Sequence, residues 1–305
     1  MKPNESSLTS LISAFARAYH SKYDNPKIID DDLAKELISP EEFTNISENM
    51  IQGASFFNPE VAQKHREDPG EILRWITQVQ LSPTTLARAA YCEEVLLHEV
   101  KLGLQQYVIL GAGLDTFSFR HPEMNGTLQI FEVDHPATQK FKEERLAEAN
   151  FDIPDNLHFV PMDFTGGISY SKLVDKGFVY HHKTCCSLLG VSYYLTKAEI
   201  SSLIDRLFSL LPSGSSIVMD YADEQLFTER GLFNRVENMV NMAAASGEPM
   251  KSCFTYEEME GMLDQSGLLI YEHLTPAGIN ERFFRQRTDD LSAFETIHYV
   301  HAVKR

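Results

Sequence analysis

Residues 106–120 read QYVILGAGLDTFSFR, and the fold turns on them. Val108, Ile109 and Leu110 run straight into Gly111-Ala112-Gly113. A strand covered on both faces of a parallel sheet is a continuous apolar run. A glycine turn directly after it lets a ligand reach the backbone, because no Cβ intrudes. The stretch therefore reads as the opening strand and turn of a nucleotide-binding sheet. The full dinucleotide fingerprint is Gly-x-Gly-x-x-Gly. Here Thr116 stands in the place of the third glycine, and Gly-x-Gly alone also describes a simple tight turn.

The next acids narrow the ligand. Asp134 closes the second apolar stretch, roughly 20 residues past the glycines, where a carboxylate can accept both ribose hydroxyls. Asp163 ends the third and can accept from an adenine amino group, with Phe164 beside the ring. Asp115 lies in the glycine turn itself. It would repel the pyrophosphate that a dinucleotide places at a helix N-terminus, but not a ligand carrying an amino group and a sulfonium. This mismatch favours S-adenosylmethionine over a nicotinamide dinucleotide.

Strand and helix patterns alternate through most of the chain. Strands are expected at 107–112, 128–134, 157–163, 183–191, 215–221, 267–274 and 295–304. Helices such as 136–149, 196–211 and 255–267 fall between them. This alternation predicts an α/β fold: a Rossmann-like, doubly wound, seven-stranded sheet, mainly parallel, with helices on both faces. The last two strands have no helix between them and can pair antiparallel through residues 275–294. The first 85 residues read as helical and irregular. Residues 8–20 place Leu8, Leu11, Ile12, Phe15 and Tyr19 on one helical face. A strong helix over 82–103 is expected to be capped by Ser82 or Thr84. Residues 1–85 are thus read as a helical N-terminal cap, part of the same domain as a core at 86–305.

Six stretches now point to one family: ARAAYCEEVL (87–96), VILGAGLDTFSFR (108–120), IFEVDHPATQKFK (130–142), VPMDF (160–164), LLGVSYYLT (188–196) and GINERFF (278–284). In this order they resemble the S-adenosylmethionine-dependent methyltransferases related to leucine carboxyl methyltransferase, and within them a bacterial O-methyltransferase branch associated with polyketides. The resemblance implies that Arg88 pairs with the carboxylate of the methionine moiety, a task that suits a guanidinium fork. It implies that Gly111 and Gly113 lie against the methionine portion and ribose, that Asp134 binds the ribose, and that Asp163 and Phe164 read the adenine. Arg17 is a weaker candidate for a second carboxylate contact. The family carries a glutamate at the end of the fourth strand. Leu189 stands there in this sequence, which counts against a protein-phosphatase substrate.

Methyl transfer from a sulfonium is an in-line displacement, so positioning supplies much of the acceleration. A carboxylate acceptor is already ionised near neutral pH, whereas a phenol or alcohol gains from a general base. Acceptor-facing candidates come from the loops after strands four, five and six: Ser192, Tyr193, Tyr194, Asp220, Tyr221, Asp223, Asn280, Glu281, Arg282, Phe283 and Arg285. Of these, Tyr193, Glu281 and Arg282 are the candidates for orienting or deprotonating the acceptor, and none is singled out as catalytic.

The bulk numbers read as those of an ordinary soluble globular protein. The 305 residues are 43% hydrophobic and 23% charged, with a formal net charge of −17. Such acidity repels nucleic acid. No apolar run is long enough to span a bilayer, and MKPNESSLTS at the start lacks the core of a secretory signal. Cys92, Cys185, Cys186 and Cys253 form no Cys-x-x-Cys pair and read as free thiols of a reducing cytoplasm. His298 and His301, three apart on a strand, point to opposite faces, so no metal is expected. The expected partner is a small-molecule acceptor with a carboxylate or hydroxyl. Two other readings remain open: a nicotinamide-dependent oxidoreductase, and a non-catalytic protein that binds S-adenosylmethionine as a regulatory signal.

Overall fold

The computed structural model describes residues 8–305; the expectation drawn from the first seven residues lies outside them. All seven strands form, as β1 (Gln106–Leu110), β2 (Gln129–Asp134), β3 (Leu157–Pro161), β4 (Thr184–Leu188), β5 (Ser216–Ala222), β6 (Leu268–Leu274) and β7 (Ile297–Lys304). They join one sheet in the order β3-β2-β1-β4-β5-β7-β6. The strands from β3 to β5 pair in parallel, and β7 inserts antiparallel between β5 and β6. The order reverses between β1 and β4, the point at which open α/β sheets leave a crevice beyond their carboxyl ends.

The apolar run of β1 feeds both faces of the sheet because successive side chains alternate. Tyr107 and Ile109 pack with Leu86, Tyr91 and Leu96 of the helix α4 (Ser82–Lys101). Val108 and Leu110 pack on the other side with Ile204 and Leu207. A fully buried side chain of this size contributes about 2 kcal/mol relative to exposure.

The longer helices are α1 (Leu8–Tyr23), α2 (Pro40–Gln52), α3 (Pro69–Ile76), α4 (Ser82–Lys101), α5 (Pro136–Glu148), α6 (Lys197–Ser209), α7 (Arg235–Ala245) and α8 (Tyr256–Gln265). Reciprocal capping boxes open three of them: Ser39 with Glu42, Thr196 with Glu199 and Thr255 with Glu258. In each, a hydroxyl and a carboxylate satisfy backbone donors that the first turn leaves free.

The expected cap of α4 is different. A π-helical turn, Thr77–Leu81, runs directly into it from α3, Leu81 stands at the N-cap, and no side chain of a described residue caps the start. The buried hydroxyls of Ser82 and Thr84 have no hydrogen-bond partner among the described residues. Pro83 explains the wider turn, because its ring clashes with the carbonyl four residues back and it has no N–H to donate. The helical path from Pro69 to Lys101 is therefore continuous, and residue 85 lies within it. The cap and the core share this helix. The cap also has its own apolar cluster, in which Phe15, Tyr19, Leu37 and Ile46 gather with Leu114 of the glycine turn and Leu146 of α5.

Candidate functional site

A cleft of about 560 Å³ opens beyond the carboxyl ends of β1, β2, β3 and β4. Arg17, Arg88, Gly111, Gly113, Asp134, Asp163 and Phe164 all line it. The structure thus brings together every residue that the sequence assigned to a cofactor.

The glycine turn needs its glycines. Gly111 has φ +76°, and a Cβ there would lie 2.4 Å from Val191 Cγ2; Gly113 has φ +52°, and a Cβ would meet Ser10 at 2.9 Å. Both are left-handed conformations that a larger residue resists. Asp134 ties the turn to β2. Its Oδ2 accepts from the Gly113 N–H at 2.6 Å and its Oδ1 from the His135 N–H at 2.6 Å. Burial pushes this carboxyl above the ordinary aspartate range, against the pull of those two donors. A carboxylate has about four acceptor positions, so lone pairs remain for a ligand hydroxyl. Asp163, more exposed, accepts from the N–H and hydroxyl of Thr165 at 3.0 and 2.6 Å. The hydroxyl bond leads in holding it below its ordinary range. Phe164 is buried beside it.

Behind the turn, Lys142 Nζ donates to the Asp115 carbonyl at 2.6 Å and to Glu132 at 2.5 Å. The Asp115 carboxylate accepts from the Phe117 N–H at 2.8 Å. Only a four-residue helix, Phe117–Arg120, follows.

The cap grips the same turn. Arg17 donates to Asp31 and to the Leu114 carbonyl, each at 2.7 Å, so two of its donors already serve the protein. Asp31 also accepts from Thr116 at 2.7 Å and lies 3.5 Å from Arg120. Burial works to raise the Asp31 carboxyl, but Arg17 and Arg120 outweigh it and hold it below the usual range.

Arg88 projects from α4 into the opposite wall. Its Nη1 donates to Asp220 at 3.3 Å. Burial works against its charge, Asp220 leads the groups that offset this, and the guanidinium stays above its ordinary range. Asp220, on β5, has no exposed surface. It also accepts from the Gly190 N–H at 2.7 Å and from the Tyr193 hydroxyl.

Among the acceptor candidates, Tyr194 lines the cleft and the others do not. Tyr193 lies buried beneath it. Tyr221 and Asp223 border a separate groove with His273 and His298. Glu281 pairs with Arg285, and Arg282 pairs with Glu94 and Glu272 on the outer surface. His298 and His301 do face opposite ways, toward Asp223 and Glu99. The sequence reading missed the roof: Thr9, Ser10 and Ser13 of α1, and Glu248 and Lys251 after α7, complete the wall. Thr9 donates to Glu248 at 2.9 Å across 239 positions, a pairing with no local signal.

The strand order and the cleft at the switch point define a Rossmann-like α/β fold. Comparison with known proteins agrees. The leucine carboxyl methyltransferase family model matches residues 10–208. A Bacillus subtilis (strain 168) protein named "Putative S-adenosyl-L-methionine-dependent methyltransferase YktD" is 66% identical over 305 residues, 100% of both chains. A Mycobacterium marinum (strain ATCC BAA-535 / M) protein of the same description, without the final name, is 28% identical over 78% of this chain and 72% of its own. The crystal structure of a DUF574 family protein from Streptomyces avermitilis covers 99% of both chains with TM-score 0.57 and 14% identity, a likeness of fold. The chain belongs to the leucine carboxyl methyltransferase family.

Proposed function

We propose that the protein is an S-adenosylmethionine-dependent O-methyltransferase acting on a carboxylate or hydroxyl of a small molecule. The observation that carries this reading is the glycine turn, with Asp115 within it and Asp134 bonded to it from the end of β2. Asp134 faces the place of a ribose. Asp115 sets a carboxylate where a dinucleotide would need its pyrophosphate, and the four-residue helix behind it offers little dipole for one. The missing third glycine and this acidic turn weigh against the nicotinamide reading. The family, whose description names a carboxyl acceptor, favours oxygen.

The residues present suit the cofactor. Gly111 and Gly113 leave room for it where a Cβ would intrude. Asp134 would hold the ribose, Asp163 and Phe164 the adenine, and Arg88 the methionine carboxylate, with Arg17 steadying the turn. Bound there, S-adenosylmethionine would supply an activated methyl group. The chain's own work is to orient the acceptor under the roof formed by Thr9, Tyr194 and Glu248, and to exclude water. We place the enzyme in the cytoplasm, a setting that suits its four free cysteines. Among the described residues no helix is long and apolar enough to cross a membrane.

The test is methyl incorporation from label-bearing S-adenosylmethionine into pools of carboxylic acids, phenols, alcohols, amines and thiols. Transfer to oxygen is expected. Mild base then separates the two oxygen classes, releasing labelled methanol from esters and not from ethers. Label confined to nitrogen or sulfur would overturn the O-methyl assignment. Turnover of any acceptor would remove the regulatory reading.

A further inference from the structure

An arginine carries five N–H donors in a fixed fork. In Arg88 one of them meets Asp220, and no hydrogen bond joins the rest to another described residue. Arg88 lines the cleft. Leu189, the residue just past β4, adds no second charge beside it. The anchor comes instead from β5. Asp220 is fully buried, and its two oxygens take the Gly190 N–H, the Tyr193 hydroxyl and the Arg88 guanidinium. The Ser192 hydroxyl donates to its backbone carbonyl at 2.6 Å. Gly190 makes room for the arrangement: at φ +69°, a Cβ there would lie 2.5 Å from both terminal nitrogens of Arg88. Burial, with Asp220 beside it, pushes the Tyr193 phenol well above its usual range. It remains a protonated donor at any working pH.

We propose that Asp220 and Tyr193 form a positioning dyad for Arg88, holding its free donors toward the cleft so that they select a ligand bearing a carboxylate. Tyr193 then acts through Asp220 and not on the acceptor. The inference rests on the S-adenosylmethionine reading and adds that carboxylate recognition is set one strand away from the residue that performs it.

Two ligands separate positioning from general damage. S-adenosylhomocysteine carries the amino-acid carboxylate; 5′-methylthioadenosine shares the nucleoside and lacks that arm. Calorimetric dissociation constants for both would be measured on the wild type, Arg88→Gln, Asp220→Asn, Tyr193→Phe and the double variant Arg88→Gln/Tyr193→Phe. Loss of a charge-assisted hydrogen bond predicts that Arg88→Gln weakens S-adenosylhomocysteine at least about tenfold. Tyr193→Phe is expected to weaken it about threefold to tenfold, and 5′-methylthioadenosine less than about twofold. Groups that act as a unit are non-additive, so the double variant should bind like Arg88→Gln. Asp220→Asn should follow Tyr193→Phe in its selectivity; Tyr193→Phe keeps the test decisive if removal of the buried acid prevents folding. Equal weakening of both ligands, no change in either, or additive loss in the double variant would overturn the dyad. A wild type that binds neither ligand would overturn the cofactor reading on which it rests.

Discussion

The floor of the cleft draws Gly111, Gly113, Asp134 and Asp163 from the ends of three adjacent strands, whereas its roof joins Thr9 to Glu248 across 239 positions of sequence. Each floor residue is fixed by close neighbours. Asp134 bonds the next N–H and that of the facing turn, and Asp163 bonds Thr165 two residues on. The roof depends on how the cap lies over the core. A site built from strand ends keeps its geometry as long as the sheet forms. A site closed by distant segments also needs a clamp that holds the N-terminal helices on the sheet, and here Asp31 joins Arg17 of α1 to Thr116 and Arg120 beside the glycine turn.

The largest effect is expected at the clamp. Asp31→Ala leaves Arg17 without its buried counter-charge, while Arg120 keeps Glu93, and should cost about 3–5 kcal/mol of stability in a denaturant titration. A loss below about 1 kcal/mol would mean that the cap does not depend on it. Next comes the floor. Asp134→Ala should weaken S-adenosylhomocysteine about 100-fold, close to 2.8 kcal/mol, while a cooperative thermal transition persists. An unchanged dissociation constant would move the ribose elsewhere. The roof contact is weaker. Thr9→Val removes one hydrogen bond worth about 1 kcal/mol and should change the affinity for S-adenosylhomocysteine less than about threefold; a larger change would make the roof part of the cofactor site.

The smallest effect lies behind the turn. His121 approaches Glu123 at 2.8 Å and Glu93 at 3.4 Å. The bond to Glu93 leads in raising its pKa above the ordinary 6.5. The folded state therefore binds the proton more tightly than the unfolded one. The contribution is complete below pH 6.5 and fades as pH rises through the folded value. Solvent screening limits it to a few tenths of a kcal/mol. His121→Gln should flatten that part of the stability profile just above pH 6.5. An identical slope in both proteins would remove His121 from the account.

The difference between floor and roof also decides what could be read in advance. The seven strands were legible because β1 to β7 are apolar runs bounded by turns. Asp134 and Asp163 were legible because a strand end places a side chain at the crevice. Arg88 came from the resemblance of the stretch around it. Thr9, Glu248 and the role of Asp220 were not legible, since each depends on a contact between segments far apart in the chain. Tyr193 looked like an acceptor residue because of its place after β4, and only the packing puts it beneath the cleft against Asp220. The cap on α4 failed for a local reason: Pro83 is accommodated by a wider turn, which lets the preceding helix run on.

The most direct test of the central claim is a calorimetric titration of the intact protein with S-adenosylhomocysteine, run beside NADH. The account predicts saturable one-to-one binding of S-adenosylhomocysteine and no heat from NADH. Binding of NADH alone would make the acidic glycine turn a dinucleotide site after all and would contradict the account.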